Sequence, residues 1–218
     1  MLKKHSVVFT EREVPDLSNV EFSDSKFHGK FILWTFTLMQ TESGIIWTIG
    51  HSTRSIEEFL DLLEVNGGRL LVDIRSLPGS RRYPHFNKEN LSVALKEKDI
   101  DYEHLVGLGG RRTANPQSVN VAWRNASFRG YADYMQTDEF KGRAARLETL
   151  AHKERTAYMC SEAPWWKCHR ALVSDFLKIR GWKVLHIMEK GKVTEHPFTS
   201  PARPVQGQLF YDGLVTPD

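Results

Sequence analysis

The sequence predicts a single α/β domain: a mostly parallel central sheet flanked by helices, with a polar site at the carboxyl ends of the strands. Three observations carry this. Short apolar runs alternate with stretches of helical periodicity from Ile45 onward. The connections between successive runs are long, as parallel crossovers require. Polar and titratable residues collect directly after the apolar runs, where an open α/β sheet places its ligands.

The first run, Ile45 to Ile49, is a compact strand followed by Gly50-His51-Ser52. A capping box, Ser55 with Glu58 three residues on, opens a helix with Ile56, Phe59, Leu60 and Leu63 on its apolar face, and Gly67-Gly68 ends it. Arg69 to Ile74 is the second strand. Pro78, Gly79 and Pro84 make the segment after it a shaped loop. Asn87 caps a short helix carrying Leu91, Ala94 and Leu95, and Asp101 to Val106 reads as the third strand. Gly107 to Gly130 has no clear period and is expected to be irregular. A helix follows from about Asp138, with Phe140, Ala144, Leu147 and Ala151 on one face. Thr156 to Met159 is a buried strand. From Cys168 a helix carries Leu172, Val173, Phe176, Leu177 and Ile179 at helical spacing, with Gly181 as its cap, and Lys183 to Met188 is the last strand.

The expected organisation is an N-terminal extension at 1–43, a core domain at 44–190 and a tail at 191–218, rich in proline, wrapping the core. Length (218 residues), apolar content (40%) and charged content (26%) are ordinary for a globular protein with one core. A formal charge of +3 permits nucleic acid or phosphorylated ligands without demanding them. Two cysteines are too few for a disulfide framework, so a reducing cytoplasm is the expected location. No secretory signal is apparent, and the nine-residue apolar run Phe31 to Met39 is too short to span a bilayer, so no membrane partner is expected. Nothing in the pattern sets an oligomeric state.

If the sheet is parallel, three loops converge on one edge. The first brings His51 and Ser52, and the second Asp73, Arg75, Ser76, Ser80 and Arg81. The third brings Cys160, Glu162, Cys168, His169 and Arg170. Cys168, Cys160, His51, Glu162 and His169 are the catalytic candidates. Ser52, Asp73, Arg75, Ser76, Ser80, Arg81 and Arg170 are the substrate-binding candidates.

Three readings of the cysteines compete. A nucleophilic thiol needs a helix N-terminus or an adjacent cation, which favours Cys168 beside His169 and Arg170. A metal could use Cys160, Cys168, His169 and His51, but seven residues separate the two cysteines, unlike the tight pair of a common zinc site, and no cofactor is required. Both could also be small buried apolar side chains. The arginines suit phosphate or carboxylate, or pair internally with Asp73 and Glu162. Gly107-Leu108-Gly109-Gly110 lacks the Lys-Ser/Thr ending of a phosphate loop and reads as a flexible turn. Trp165 and Trp166 read as packing residues. The stretch Gly107 to Tyr131 mixes Arg111, Arg112, Arg124 and Arg129 with Trp123, Phe128 and Tyr131, a combination suited to single-stranded nucleic acid.

Together, Thr48-Ile49-Gly50-His51-Ser52, Val72-Asp73-Ile74-Arg75-Ser76 with Pro78, Ser80 and Arg81, Cys160 with Glu162, and Cys168-His169-Arg170 resemble the family catalogued as domain of unknown function 488. Leu108-Gly109-Gly110, Phe128-Arg129-Gly130-Tyr131-Ala132 and His186-Ile187 agree, and the resemblance runs from about Ile45 to Tyr211. It implies a site without naming a reaction. A looser, fold-level likeness to rhodanese-type and cysteine-phosphatase domains departs at their short cysteine-to-arginine loop. The expected function is an enzyme with a Cys/His/Arg site acting on a small anionic substrate. The alternative is a single-strand or nucleotide binding module without catalysis.

Overall fold

The computed structural model of the protein describes residues 44–214. The expectations for the extension at 1–43, including Phe31 to Met39, fall outside the described residues.

A six-stranded sheet has the order β3-β2-β4-β1-β5-β6. Its strands are β1 (Ile45–Gly50), β2 (Leu70–Asp73), β3 (Asp101–His104), β4 (Thr156–Cys160), β5 (Lys183–Glu189) and β6 (Lys192–Glu195). The first five are mutually parallel, and β6 pairs antiparallel with β5. The five helices described are α1 (Ile56–Val65), α2 (Lys88–Lys96), α3 (Ala126–Met135), α4 (Asp138–Lys153) and α5 (Arg170–Ile179). This is the α/β architecture expected. The capping box of α1 is formed in both directions, with Ser55 Oγ accepting from the Glu58 amide at 3.2 Å and Glu58 Oε2 accepting from the Ser55 amide at 3.0 Å.

Side-chain parity along the strands divides the core in two. Leu71, Ala157, Met159, Ile49 and Ile187 meet Phe59 and Leu63 of α1 and Leu91 and Leu95 of α2. Leu70, Val72, Tyr158, Ile46 and Val184 meet Tyr131 of α3, Phe140 and Leu147 of α4, and Leu172 and Val173 of α5. Helices therefore cover both faces, which is why these strands read as apolar runs rather than alternating ones.

The order of strands fixes where a site can form. The chain leaves β1 and β2 for α1 and α2 on one face. It leaves β4, which lies between them, for α5 on the other. The connections part at the carboxyl end of β4 and open a crevice there.

One expectation needs correction. The region Gly107 to Gly130 is not irregular throughout: α3 begins at Ala126, capped by Asn125, whose side chain accepts from the Ser127 and Phe128 amides. Phe128, Tyr131, Ala132 and Met135 recur at helical spacing, but Gly130 interrupts the pattern. Gly130 is there for close packing, since a Cβ would lie 2.6 Å from the backbone at Thr113 and Ala114. The tail also holds regular structure. Its β6 completes the sheet, and β7 (Arg203–Val205) pairs with β8 (Gln208–Phe210) across Gln206 and Gly207, both at positive φ. All four β6 residues are exposed, so this edge strand has no apolar signature to read.

Candidate functional site

The crevice at the end of β4 holds a pocket of about 260 Å³. Its walls come from Arg75, Ser76 and Leu77 after β2, Gly110 and Arg111, and Ser127 and Phe128 of α3. Cys160, Ser161 and Glu162 after β4 and Lys167, Cys168 and His169 before α5 complete it. Parity explains the meeting of the cysteines. Cys160 continues the face of Tyr158, the face on which α5 packs, so the start of α5 lies over it. The seven residues between the cysteines fold back through a 3-10 turn at Trp165–Lys167.

His169 organises the pair. Its Nε2 lies 3.1 Å from the carbonyl oxygen of Ile74, which can only accept, so Nε2 carries the proton. Nδ1 is then left with a lone pair facing both sulfurs, 3.5 Å from Cys168 Sγ and 3.8 Å from Cys160 Sγ. All three residues are buried. Gly110 lies flush against this imidazole, where a Cβ would come within 2.4 Å of Nδ1, and Gly109 is pressed as closely on Ser76. The glycine stretch therefore serves close packing, which explains it better than a freely flexible turn.

Arg170 lies beneath. It is 1% exposed. Its Nη1 donates to Thr48 Oγ1 at 2.8 Å, and its Nη2 to the carbonyl oxygens of Glu162 and Ala163, the latter at 3.1 Å. These bonds hold the loop after β4 in place. The bare Cα of Gly50 admits the Glu162 carbonyl, since a Cβ there would collide with it. Among the described residues no carboxylate pairs with Arg170, so a buried positive charge stands under the thiols. Thr48 Oγ1 lies 3.1 Å from His186 Nδ1, His186 Nε2 lies 2.9 Å from His196 Nδ1, and His196 Nε2 lies 3.0 Å from Asp175 Oδ1. One assignment satisfies every link: each group donates to the next, and the chain of bonds runs from the guanidinium to the Asp175 carboxylate. Burial, then the neighbouring His196 and Arg170, push His186 down to about 2, so it stays neutral.

These surroundings separate the two thiols. Hydrogen bonding to Cys168 and burial push Cys160 well above the usual thiol range. Burial opposes ionisation of Cys168 too. The hydrogen bond from Cys160, the charge and hydrogen bond of His169 once its Nδ1 has taken the thiol proton, and the Arg170 charge override it and hold Cys168 well below that range.

The other expected residues fall into two groups. Asp73 and His51 lie on the α1/α2 face. Asp73 grips Arg75 through both carboxylate oxygens, with Arg75 Nε donating at 2.9 and 3.0 Å, and also accepts from Tyr102. His51 stacks on Phe86 at 4.2 Å. Its Nδ1 donates to the Ser52 carbonyl at 3.0 Å, leaving Nε2 toward Arg75 Nη1 at 3.4 Å. Burial and the Arg75 charge lower it to about 4. Ser52 ties the β1 loop to the β4 loop by donating its amide to the Ser161 carbonyl at 2.7 Å. Ser80 accepts from the Tyr83 amide, and Arg81 is exposed; neither lines the pocket. The residues brought together are thus Cys160, Cys168, His169, Glu162, Arg75 and Ser76, with Arg170, Asp73, His51 and Ser52 behind them. Lys167, Ser127 and Ser161 line the pocket without having been singled out. Lys167 is the one with a readable signal, a cation beside Cys168.

Of the aromatic residues in the arginine-rich stretch, Phe128 reaches the pocket wall, while Trp123 and Tyr131 turn inward. Trp123 packs on Phe128 and Tyr211 at 4.9 and 5.8 Å, and Tyr131 is buried. Arg112 lies 3.6 Å from the centre of the Tyr134 ring and donates to the Gly107 carbonyl.

A family model described as "Domain of unknown function DUF488" matches residues 55–177. The chain belongs to this family. The matched span contains every residue of the pocket wall and Arg170, and it begins after His51 and Ser52. No curated protein and no solved structure matches the chain. No helix among the described residues is long and apolar enough to cross a membrane.

Within this DUF488 chain, Cys160, Cys168 and His169 are also, among the described residues, the group whose donor atoms could converge on a metal, all lying within 4.8 Å of one another. Tetrahedral zinc, bonded at about 2.3 Å to sulfur and 2.0–2.1 Å to nitrogen, sets sulfur–nitrogen edges of about 3.6 Å, and the His169 bond to a carbonyl is the usual outer support of a ligand histidine. The charge around the group weighs the other way. Arg170 is buried with no carboxylate, and Arg111 and Lys167 stand in the pocket wall. Among the described residues, Glu162 is the one carboxylate in the same wall.

Proposed function

We propose that the protein is a cysteine-dependent enzyme in which the Cys168 thiolate attacks a small anionic substrate. The observation that carries this reading is the tautomer of His169. With Nε2–H committed to the Ile74 carbonyl, Nδ1 is free to take the Cys168 proton. The resulting imidazolium and the guanidinium of Arg170 stabilise the thiolate. Arg111 and Lys167 supply the charge that draws an anion in, and a pocket of about 260 Å³ suits a small one. Arg75, whose charge is paired with Asp73, shapes the wall. The single-strand reading has less support, because Trp123 and Tyr131 pack inward and only Phe128 of its aromatic residues lines the pocket.

Alkylation tests the proposal. Cys168 should react at neutral pH with a midpoint below that of a free thiol, about 8.5. Relative to free cysteine it should prefer iodoacetate over the uncharged iodoacetamide, and salt should erode that preference. The variant His169→Gln should move the midpoint up. Slow labelling, no preference for the anion, or stoichiometric zinc whose removal is needed before labelling would overturn the proposal.

A further inference from the structure

Cys160 supports the Cys168 thiolate by a hydrogen bond but is not itself changed in a single nucleophilic step, yet it shares the pocket and the base of Cys168. Its Sγ lies within 4.8 Å of Cys168 Sγ and 3.8 Å from the same Nδ1 of His169. We propose that Cys160 is a resolving thiol, and that the substrate class is a disulfide with anionic arms, reduced at this site by conversion of Cys160 and Cys168 to an internal disulfide. This rests on the reading of Cys168 as the attacking thiolate.

The chemistry balances in two exchanges. The Cys168 thiolate attacks one sulfur of R–S–S–R′, forming a Cys168–S–S–R bond and breaking the substrate bond. The departing R′S⁻ takes the proton held at His169 Nδ1. That nitrogen, again a free base, takes the proton of Cys160. Cys160 then attacks Cys168 Sγ, the protein disulfide closes, and RS⁻ leaves with the second proton. In this half-reaction two thiols are oxidised and one disulfide is reduced to two thiols; a second turnover consumes an external dithiol, which reduces the Cys160–Cys168 disulfide by the same exchanges.

The geometry fits this order of events. A base between two sulfurs can serve each in turn without moving far. The burial of Cys160, and its hydrogen bonding to Cys168, keep it protonated until Cys168 has reacted, so the two do not compete for the first attack. Arg111 and Lys167 face the space the substrate arms would occupy. Ser161 and Glu162, which follow Cys160 in the pocket wall, are exposed, leaving room for the departing thiol.

The probe is glutathione disulfide, whose arms carry carboxylates, applied to the reduced full chain and followed by intact mass and peptide mapping. The wild-type chain should lose two hydrogens and show a Cys160–Cys168 cross-link. The Cys160→Ser variant should stop with one glutathionyl group on Cys168, persisting roughly tenfold longer or more than any adduct on the wild type. Cys160→Ala, with circular dichroism matching wild type, guards against misfolding of the serine variant. Uncharged hydroxyethyl disulfide should react more slowly than glutathione disulfide, relative to their rates with free cysteine. Iodoacetate labelling run in parallel separates the two claims. Rapid labelling of Cys168 with no internal disulfide, or an adduct cleared as fast without Cys160, overturns the resolving role and leaves the nucleophile standing. Absence of rapid labelling overturns both.

Discussion

Replacing Gly110 by alanine tests whether the imidazole between the thiols is held by the loop above it. A Cβ at this position would sit 2.4 Å from His169 Nδ1 and 2.7 Å from its Cγ. Ordinary contact begins near 3.4 Å, so ring or loop must yield by about 1 Å. The ring has little freedom, because its other nitrogen is committed to Ile74 and Tyr131 packs at 5.2 Å from its centre. If it yields, the 3.5 Å link from Nδ1 to Cys168 Sγ is broken. A hydrogen bond to a charged group contributes about 1.5–3 kcal/mol, which corresponds to an upward shift of roughly one to two units in the Cys168 titration. Overpacking adds about 1–3 kcal/mol of destabilisation. The assay is the pH dependence of iodoacetamide labelling at Cys168, with urea unfolding measured alongside. An unchanged midpoint in a folded Gly110→Ala chain would refute the argument that the loop positions the base.

Two further outcomes follow from buried charges. Asp73→Asn strands the Arg75 guanidinium in a dry setting and should cost about 3–5 kcal/mol in urea unfolding; a loss below about 1 kcal/mol would contradict the pairing described. His51 is held down to about 4 from an ordinary value of 6.5 by burial and Arg75. The unfolded chain therefore binds more protons between these values. Stability is fully present above about 6.5 and is lost as pH falls toward 4, by about 2–3 kcal/mol from His51 alone. The urea midpoint should fall from pH 7 to pH 4.5, and less steeply in His51→Gln; equal slopes in the two chains would count against it.

Much of the fold was legible because the interior strands are covered on both faces and read as apolar runs, as Leu70 to Val72 and Thr156 to Met159 do. Helix α1 announced itself through Ser55 and Glu58. Helix α3 was hidden by Gly130, which serves packing against Thr113 and Ala114, and β6 by the absence of any buried side chain. For the candidate site, placing titratable residues after strands located Cys160, Cys168, His169 and Arg75. It could not separate wall from support, since that depends on strand parity: Asp73 and His51 fall behind one face and Arg170 behind the other. Nor could it show that Gly110 touches His169, a contact between segments far apart in the chain.

The pocket draws on residues 75–77, 110–111, 127–128, 160–162 and 167–169, and these meet only when α5 has settled across the end of β4. Parallel pairing between distant segments forms late and slowly. Until then Cys168 has neither Arg170 beneath it nor a held imidazole beside it, and its sulfur is an ordinary thiol. If Cys168 is the proposed nucleophile, its reactivity at neutral pH is a property of the finished chain. On the proposed reading, a brief pulse of iodoacetate during refolding would mark Cys168 faster in molecules that have completed assembly, making this one atom a clock for the final step of folding.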